Sequence, residues 1–231
     1  MATFVLLPGA ASDGWYWHLV EPELRAAGHR TLSVDLPCDD DRAGFGEYAD
    51  AVVAAMGALD PPADDVVLVA QSMAGFTAPI VATRTTVAMI VMVNAMTPAP
   101  GESGGAWWAN TGQPEAQRAA MEALGLPVGS FDEDAVFLHD VPPDVVARSA
   151  AHLREQSGTP FEAPWPLAGW PDVPTRFLLC RDDRLFPAPF QRRVVAERLG
   201  ITPDEMDGGH LPALARPQEL ADRLLRYVAE R

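Results

Sequence analysis

Short strand-like segments alternate with longer segments of helical spacing along most of this chain, and this alternation limits its possible folds. Five short segments rich in apolar or β-branched residues have the length of strands, at 3–7, 31–34, 66–70, 87–93 and 176–180, and a weaker candidate lies at 204–207. Helical spacing occurs between and after them, at 15–27, 48–59, 74–84, 190–199 and 217–229. Strands that alternate with helices form a parallel sheet. We therefore predict an α/β fold, a mostly parallel sheet flanked by helices.

The segment from about 97 to 170 interrupts the alternation. It holds two stretches of helical spacing, 114–124 and 142–156, and a tryptophan- and proline-rich stretch at 164–171. We predict that this segment is a small helical cap inserted over the edge of the sheet. The length of 231 residues suits one well-packed domain. We therefore predict a single domain, 1–231, that contains the cap at about 97–170.

The turn after the third strand-like segment is the most informative part of the sequence. Sites in open parallel sheets form at the carboxyl ends of strands. Here a buried strand ends at Ala70, Gln71 and Ser72 follow, and a helix begins. This order is typical of a nucleophile elbow, which exposes a serine oxygen above the sheet. The usual glycines two residues before and after the serine are Ala70 and Ala74, followed by Gly75, and a helix-capping role for Ser72 is the alternative.

A serine nucleophile needs a base and a carboxylate that orients the base. His210 is the candidate base, because it alone of the five histidines follows the last strand, in the glycine-rich segment 207–212. The acid is expected after the preceding strand, where Asp182 and Asp183 are adjacent. The resulting chain order of serine, acid and histidine is the one that accompanies a nucleophile elbow.

Acyl transfer also requires two backbone N–H groups that stabilise the oxyanion. We expect one from Met73, directly after Ser72, and the other from Ala10 in the turn after the first strand. Gly9 gives that turn the freedom to approach the serine closely.

These motifs resemble the α/β-hydrolase superfamily, and within it the branch of plant methyl-ester esterases, hydroxynitrile lyases and bacterial esterase relatives. The resemblance covers nearly the whole chain and includes the segments 4–10, 14–17, 27–30, 34–37, 93–96 and 216–220. Relatives often carry histidine where this chain has Pro8. In their acid loop a cysteine, two variable residues and an aspartate are followed by a proline four residues later, and Asp183 and Pro187 match this spacing. The resemblance therefore assigns the acid to Asp183 rather than Asp182.

The resemblance implies hydrolysis of small to medium hydrophobic carboxylic esters through an acyl-enzyme intermediate, with no cofactor and no metal. The cyanogenic lyases of this branch resemble one another in a lysine after the histidine and a threonine in the first oxyanion loop. Leu211 and Ala10 occupy those positions here, which favours an esterase. A slow or non-catalytic small-molecule binder is a second alternative, and a cofactor-free oxygenase or haloperoxidase-like activity is a third.

Apolar residues of the cap and its surroundings are candidates for the substrate pocket. The predicted lining residues are Phe76, Met96, Trp107, Trp108, Phe137, Trp165 and Leu211, with Phe131 and Trp170 as further candidates. Packing of the cap onto the core is the alternative role for each of them. His139 and Asp140 are adjacent, but we predict no metal site because no third ligand is near them in sequence.

The charge balance restricts the partners. Its 17 basic and 32 acidic residues give a formal net charge of −15 at pH 7, which repels phosphate backbones and anionic lipids. We therefore predict a small-molecule ester as partner, without nucleic acid or membrane binding, and leave a homodimer open. No basic leader or long apolar run is evident, and there are only two cysteines. We predict a cytoplasmic protein.

Overall fold

The computed structural model describes residues 1–128 and 132–231. The strands are β1 Thr3–Leu7, β2 Arg30–Ser33, β3 Val66–Gln71, β4 Met89–Val93, β5 Thr175–Cys180 and β6 Asp204–Met206. They form one sheet in the order β2-β1-β3-β4-β5-β6, and every neighbouring pair is parallel. The predicted parallel sheet is confirmed.

Helices cover both faces of this sheet. They are α1 Glu21–Ala26, α2 Phe45–Gly57, α3 Ala74–Arg84, α4 Gly104–Thr111, α5 Gln113–Ala123, α6 Pro143–Ser149, α7 Thr159–Glu162, α8 Ala188–Leu199, α9 Pro212–Ala215 and α10 Pro217–Ala229. Successive residues of β3 face different hydrophobic clusters. Leu68 belongs to the cluster covered by α2, α3 and α8, and Val69 belongs to the cluster covered by α1 and α10. The strand is buried on both faces, which explains its continuous apolar sequence.

The strand register brings the four segments that carry candidate site residues to one edge of the sheet. Leu7 pairs with Ala70, Gln71 with Val93, and Cys180 with Met206. Because all strands are parallel, the segments that follow them meet at the carboxyl edge. This edge therefore collects the turn after β1, the turn that contains Ser72, and the loops that contain Asp183 and His210.

The single helix predicted over 15–27 is wrong. A 3₁₀ turn at Gly14–Trp17 is followed separately by α1. Asp13 caps the first turn, since its Oδ1 accepts the Trp15 N–H at 2.9 Å. Pro22 lies in the first turn of α1, where its missing N–H costs nothing and its ring favours a helix start.

The chain between β4 and β5 contains α4, α5, a π-helical turn at Asp134–Leu138, α6, a 3₁₀ turn at Ala150–His152, and α7. The helix predicted over 142–156 ends earlier than expected, at Ser149. The segment 153–157 instead forms hydrogen bonds with the loops after β1 and β2. Within it, the Ser157 N–H donates to the Cys38 carbonyl at 2.7 Å. We call residues 152–157 the strap. Phe131, a candidate pocket residue, lies outside the described residues.

An ion pair fastens the beginning of this inserted segment to α8. The carboxylate of Glu102 pairs with the guanidinium of Arg198, and both side chains are largely buried. Asn110 donates to Glu102 Oε1 at 2.9 Å, and the Ala99 N–H donates to Oε2 at 3.1 Å. Every carboxylate oxygen of Glu102 therefore has a partner.

Both cysteines, Cys38 and Cys180, are buried and free, and burial raises the pKa of each thiol. Over residues 1–128 and 132–231, no helix has both the length and the apolar character needed to span a membrane.

Candidate active site

Ser72 occupies the turn between β3 and α3 in a strained backbone conformation. Its φ is +52°, a value that non-glycine residues rarely adopt and that requires support from the surroundings. The support comes from hydrogen bonds at both ends of the residue: its N–H donates to the Val93 carbonyl at 3.2 Å, and its carbonyl accepts the Met96 N–H at 3.0 Å. Among residues 1–128 and 132–231, no side chain caps the start of α3. The alternative role of Ser72 as a helix cap is therefore wrong.

The small residues around the turn are required to different degrees. A Cβ on Gly75 would lie 2.0 Å from the Met96 carbonyl oxygen, and a Cβ on Gly9 would lie 2.3 Å from Gln71 Oε1. Ala70 and Ala74 are buried and fit with their methyl groups. The close backbone approaches thus occur at Gly9 and Gly75, so alanine is accommodated at the two positions where the usual motif has glycine.

Three polar side chains from separate loops form one hydrogen-bonded row beside this turn. His210 Nε2 lies 3.0 Å from Ser72 Oγ, and His210 Nδ1 lies 2.8 Å from Asp183 Oδ2. Because a carboxylate only accepts, Nδ1 must hold the proton and Nε2 can accept the serine proton. His210 and Asp183 are buried, while Ser72 is half-buried. A base inside hydrogen-bond distance of a hydroxyl can activate it as a nucleophile.

Backbone donors hold the carboxylate of Asp183 in place. Its Oδ1 accepts the N–H groups of Leu185 and Phe186, each at 2.8 Å. Asp182 is exposed and faces the other way, with Oδ2 accepting the Gly208 N–H at 3.1 Å. Of the two aspartates, Asp183 therefore contacts the histidine, and Asp182 fastens the acid loop to the loop that contains His210.

The two amides predicted to form the oxyanion hole belong to Ala10 and Met73. Within the described chain, neither the Ala10 N–H nor the Met73 N–H has a hydrogen-bond acceptor. Met73 directly follows Ser72 in the chain. The turn after β1 lies against Ser72, as shown by the 3.0 Å that would separate a Cβ added to Gly9 from Ser72 Cβ. Met73 thus adjoins the serine in sequence and the turn after β1 adjoins it in space, and the role of the two amides in catalysis stays a prediction.

Comparison with known proteins assigns a family. The model of a family described as "Alpha/beta hydrolase family" matches residues 4–223, nearly the whole chain. The chain belongs to this family. Among curated proteins, this α/β-hydrolase is 25% identical to Methylesterase 1 of Arabidopsis thaliana, over 97% of this chain and 95% of the relative. It is 26% identical to a probable esterase, PIR7A, of Oryza sativa, over 98% and 97% of the two chains.

A solved structure also resembles this α/β-hydrolase over its full length. The crystal structure of polyneuridine aldehyde esterase has a TM-score of 0.78 at 20% identity, and the match covers 99% of both chains. At this identity the likeness establishes the shared fold.

The hydrolase places four of the predicted pocket residues in its core. Phe76, Met96, Trp107 and Trp165 are at most 2% exposed, whereas a side chain that lines an open pocket keeps accessible surface. The two indoles are also engaged as donors, Trp107 Nε1 to the Thr97 carbonyl at 3.1 Å and Trp165 Nε1 to the Phe76 carbonyl at 3.0 Å. These four residues pack the inserted segment onto the sheet, as the alternative interpretation expected.

The other three predicted pocket residues, Trp108, Phe137 and Leu211, are half-buried. The ring of Phe137 lies 5.4 Å from the His210 ring in edge-to-face contact, and Leu211 directly follows His210. Sequence analysis missed Phe186, whose ring lies 5.1 Å from that of His210. Two aromatic rings thus pack edge-to-face against the imidazole.

Two buried amides that sequence analysis missed support the loop that contains His210. Asn94 Oδ1 accepts the Cys180 N–H at 2.7 Å, and its Nδ2 donates to the Gly209 carbonyl at 3.1 Å. Gln71 Nε2 donates to the His210 carbonyl at 3.1 Å. Their signal in the sequence is a polar residue at the carboxyl end of an otherwise apolar strand.

The pair His139 and Asp140 lies on the outer side of the same loop. Asp140 Oδ2 accepts the Gly209 N–H at 2.7 Å, so this carboxylate supports the histidine loop from the inserted segment. Within the described parts of the chain, no group of three or more His, Cys, Asp or Glu side chains could hold a metal ion. A surface cleft of about 440 Å³ runs past His139, Asp140 and Asp182, but it does not reach Ser72.

Proposed function

We propose that this α/β-hydrolase hydrolyses carboxylic esters through an acyl-enzyme intermediate on Ser72. The observation that carries the proposal is the hydrogen-bonded row Ser72, His210, Asp183 at the end of β3, with the serine at φ +52°. The esterases among its relatives support ester hydrolysis in general.

In the first half of the proposed reaction, Ser72 Oγ attacks the ester carbonyl carbon while His210 Nε2 removes its proton. The negative charge on the carbonyl oxygen is stabilised by the Ala10 and Met73 N–H groups. Asp183 keeps the imidazole in the required tautomer and stabilises the imidazolium. His210 then protonates the departing alcohol, which leaves an acyl group on Ser72.

In the second half, water replaces the alcohol. His210 removes a proton from the water, whose oxygen attacks the acyl carbon, and the same two amides stabilise the second oxyanion. Collapse of this intermediate returns the proton to Ser72 Oγ and releases the carboxylic acid. Every step uses groups of this chain, so we propose that the reaction proceeds without a cofactor.

The surroundings of His210 favour a neutral, apolar ester of small to medium size. Phe137 and Phe186 present hydrocarbon to the imidazole, Leu211 directly follows His210 in the chain, and apolar walls with few polar groups suit such ligands. The net charge of −15 disfavours anionic substrates and partners such as nucleic acid or anionic membranes. A cytoplasmic location stays a prediction, and the oligomeric state stays open.

Hydrolysis of p-nitrophenyl acetate and butyrate by wild type and Ser72→Ala tests the proposal. Loss of the nucleophile should reduce kcat by about a million-fold. Ser149→Ala is the matched control, because the hydrogen bond of the Ser149 hydroxyl goes to the Val146 carbonyl in its own helix. Equal rates for wild type and Ser72→Ala would refute the proposal and favour the small-molecule binder. Release of cyanide from a cyanohydrin, without ester hydrolysis, would favour the lyase.

A further inference from the structure

The loop after β1 contains a residue that, like Ser72, has a disfavoured backbone conformation. Ala11 has a φ of +55°, which for a residue with a Cβ persists only where surrounding contacts hold it. Ala11 directly follows Ala10, the proposed oxyanion donor. The N–H groups of the two residues lie in consecutive peptide planes, which can rotate relative to each other only about the φ and ψ of Ala10. The contacts that fix Ala11 therefore also restrict the direction of the Ala10 N–H.

Those contacts come from the strap. The Ala11 N–H donates to Gln156 Oε1 at 3.2 Å, and the Arg154 N–H donates to the Ala11 carbonyl at 3.0 Å. Both backbone polar groups of Ala11 are therefore held by residues far away in sequence. A third contact joins His152 Nδ1 to Asp13 Oδ2 at 3.0 Å, two residues further along the loop.

The amide of Gln156 is itself held in one orientation. Its Nε2 donates to the Tyr48 hydroxyl at 3.1 Å and to the Ser157 carbonyl at 3.0 Å. Because the amide nitrogen only donates and the amide oxygen only accepts, these two bonds fix the amide so that Oε1 faces the Ala11 N–H. Tyr48 is fully buried in α2, so the support for this loop extends from the core through Gln156.

We infer that Gln156 is a positioning residue for the oxyanion hole, fixing through Ala11 the loop that presents the Ala10 N–H. The inference rests on the proposed ester hydrolysis and adds a residue of the strap to that site. The oxyanion exists only in the transition state and intermediates, so loosening its donor affects kcat rather than substrate binding.

Steady-state kinetics of Gln156→Met, Gln156→Glu and Glu155→Ala test this role. Methionine has a similar length but cannot accept the Ala11 N–H, and we expect kcat to fall about tenfold, part of the loss that removing an oxyanion donor causes, with KM within about twofold. Glutamate retains an acceptor for the Ala11 N–H but has no N–H for the Ser157 carbonyl, so it should recover part of kcat. Glu155 is an exposed neighbour in the strap, and Glu155→Ala should match wild type.

A pair of ketone inhibitors separates positioning from general stability. A trifluoromethyl ketone forms a bond from its carbonyl carbon to Ser72 Oγ, its oxygen becomes an oxyanion, and the serine proton passes to His210. A methyl ketone of the same shape binds without this step. In Gln156→Met we expect the affinity for the trifluoromethyl ketone to fall about tenfold, in parallel with kcat, and the affinity for the methyl ketone to stay unchanged.

Hydrogen exchange measures the loop without relying on catalysis. The peptide that contains residues 9–13 should exchange faster in Gln156→Met than in wild type and Glu155→Ala. Unchanged exchange, unchanged kcat in an active enzyme, or an increase in KM alone would each overturn the inference. Failure of the proposed function differs from these outcomes, because wild type itself would then neither hydrolyse esters nor bind the trifluoromethyl ketone more tightly than the methyl ketone.

Discussion

Asp182 and Asp183 show how strongly a single peptide step changes the surroundings of the same side chain. Asp183 is buried and accepts two backbone N–H groups besides the imidazole, whereas Asp182 is exposed and accepts one. The sequence places both in the acid loop, and only family spacing distinguished them. Their different contacts lead to different expectations for the same substitution.

Asp183→Asn should lower kcat by about ten-thousand-fold with little change in fold, because an asparagine in this position favours the wrong histidine tautomer. Asp182→Asn should lower kcat less than about tenfold, since the Asp182 side chain supports the loop through one partly buried hydrogen bond. Ester hydrolysis by the two variants, with circular dichroism as a check of folding, measures the difference. Similar losses in both variants would contradict the assignment of the acid.

Gly75 is the residue at which the serine turn tolerates no side chain. Gly75→Ala would place its methyl group 2.0 Å from the Met96 carbonyl oxygen, and we expect the free energy of unfolding to fall by about 1–3 kcal/mol. Gly57→Ala is the matched control, because no atom of the described residues lies within 4 Å of its added Cβ. This control should be neutral or stabilised by about 0.5–1 kcal/mol. Urea unfolding of both variants checks the prediction, and equal stabilities would contradict it.

Among the elements, the beginning of the inserted segment depends on a buried charge pair. Burial alone would raise the pKa of Glu102, but hydrogen bonds from Arg198, Asn110 and the Ala99 N–H hold this pKa below its ordinary value. A carboxyl with a lowered pKa contributes stability above the pKa of the unfolded state, about 4.3 for glutamate, and loses it as the pH falls through the folded-state value.

Glu102→Gln should therefore reduce the free energy of unfolding by about 3 kcal/mol at neutral pH, because it leaves Arg198 without its counter-charge. The difference from wild type should shrink below about pH 4, where wild type loses the same charge. Glu122→Gln is the control, since Glu122 forms an exposed pair with Arg118 and should change stability by less than about 0.5 kcal/mol. A difference that stays constant with pH would contradict the role of the charge.

The helix boundaries show where local sequence alone is insufficient to predict the end of an element. The prediction of α3 at 74–84 was confirmed to the residue, because its start follows the serine turn and its apolar face is continuous. The predicted helix over 142–156 stops at Ser149 although the helical spacing continues. There the hydrogen bonds of the strap to Ala11 and Cys38 compete with helix formation, and no local pattern contains those partners.

At the scale of the whole molecule, the parallel sheet and the residues that meet at its carboxyl edge could be predicted from the order of apolar strands and polar loops. The lining of the pocket could not be predicted in this way, since Trp107 and Trp165 were predicted to line it but are buried in the core. Gln71, Asn94 and Phe186 were missed for a related reason. Their contacts to the histidine loop depend on the register of distant strands, which local sequence does not specify.

The strap also affects how this enzyme could be recombined with its relatives. It lies within the inserted segment in sequence, yet its hydrogen bonds join it to the loops after β1 and β2. A chimera that exchanges the whole segment would replace those bonds with side chains adapted to another scaffold. A crossover between Ser149 and His152 would instead keep the strap with its parental sheet, so the natural boundary for recombination lies inside the insertion.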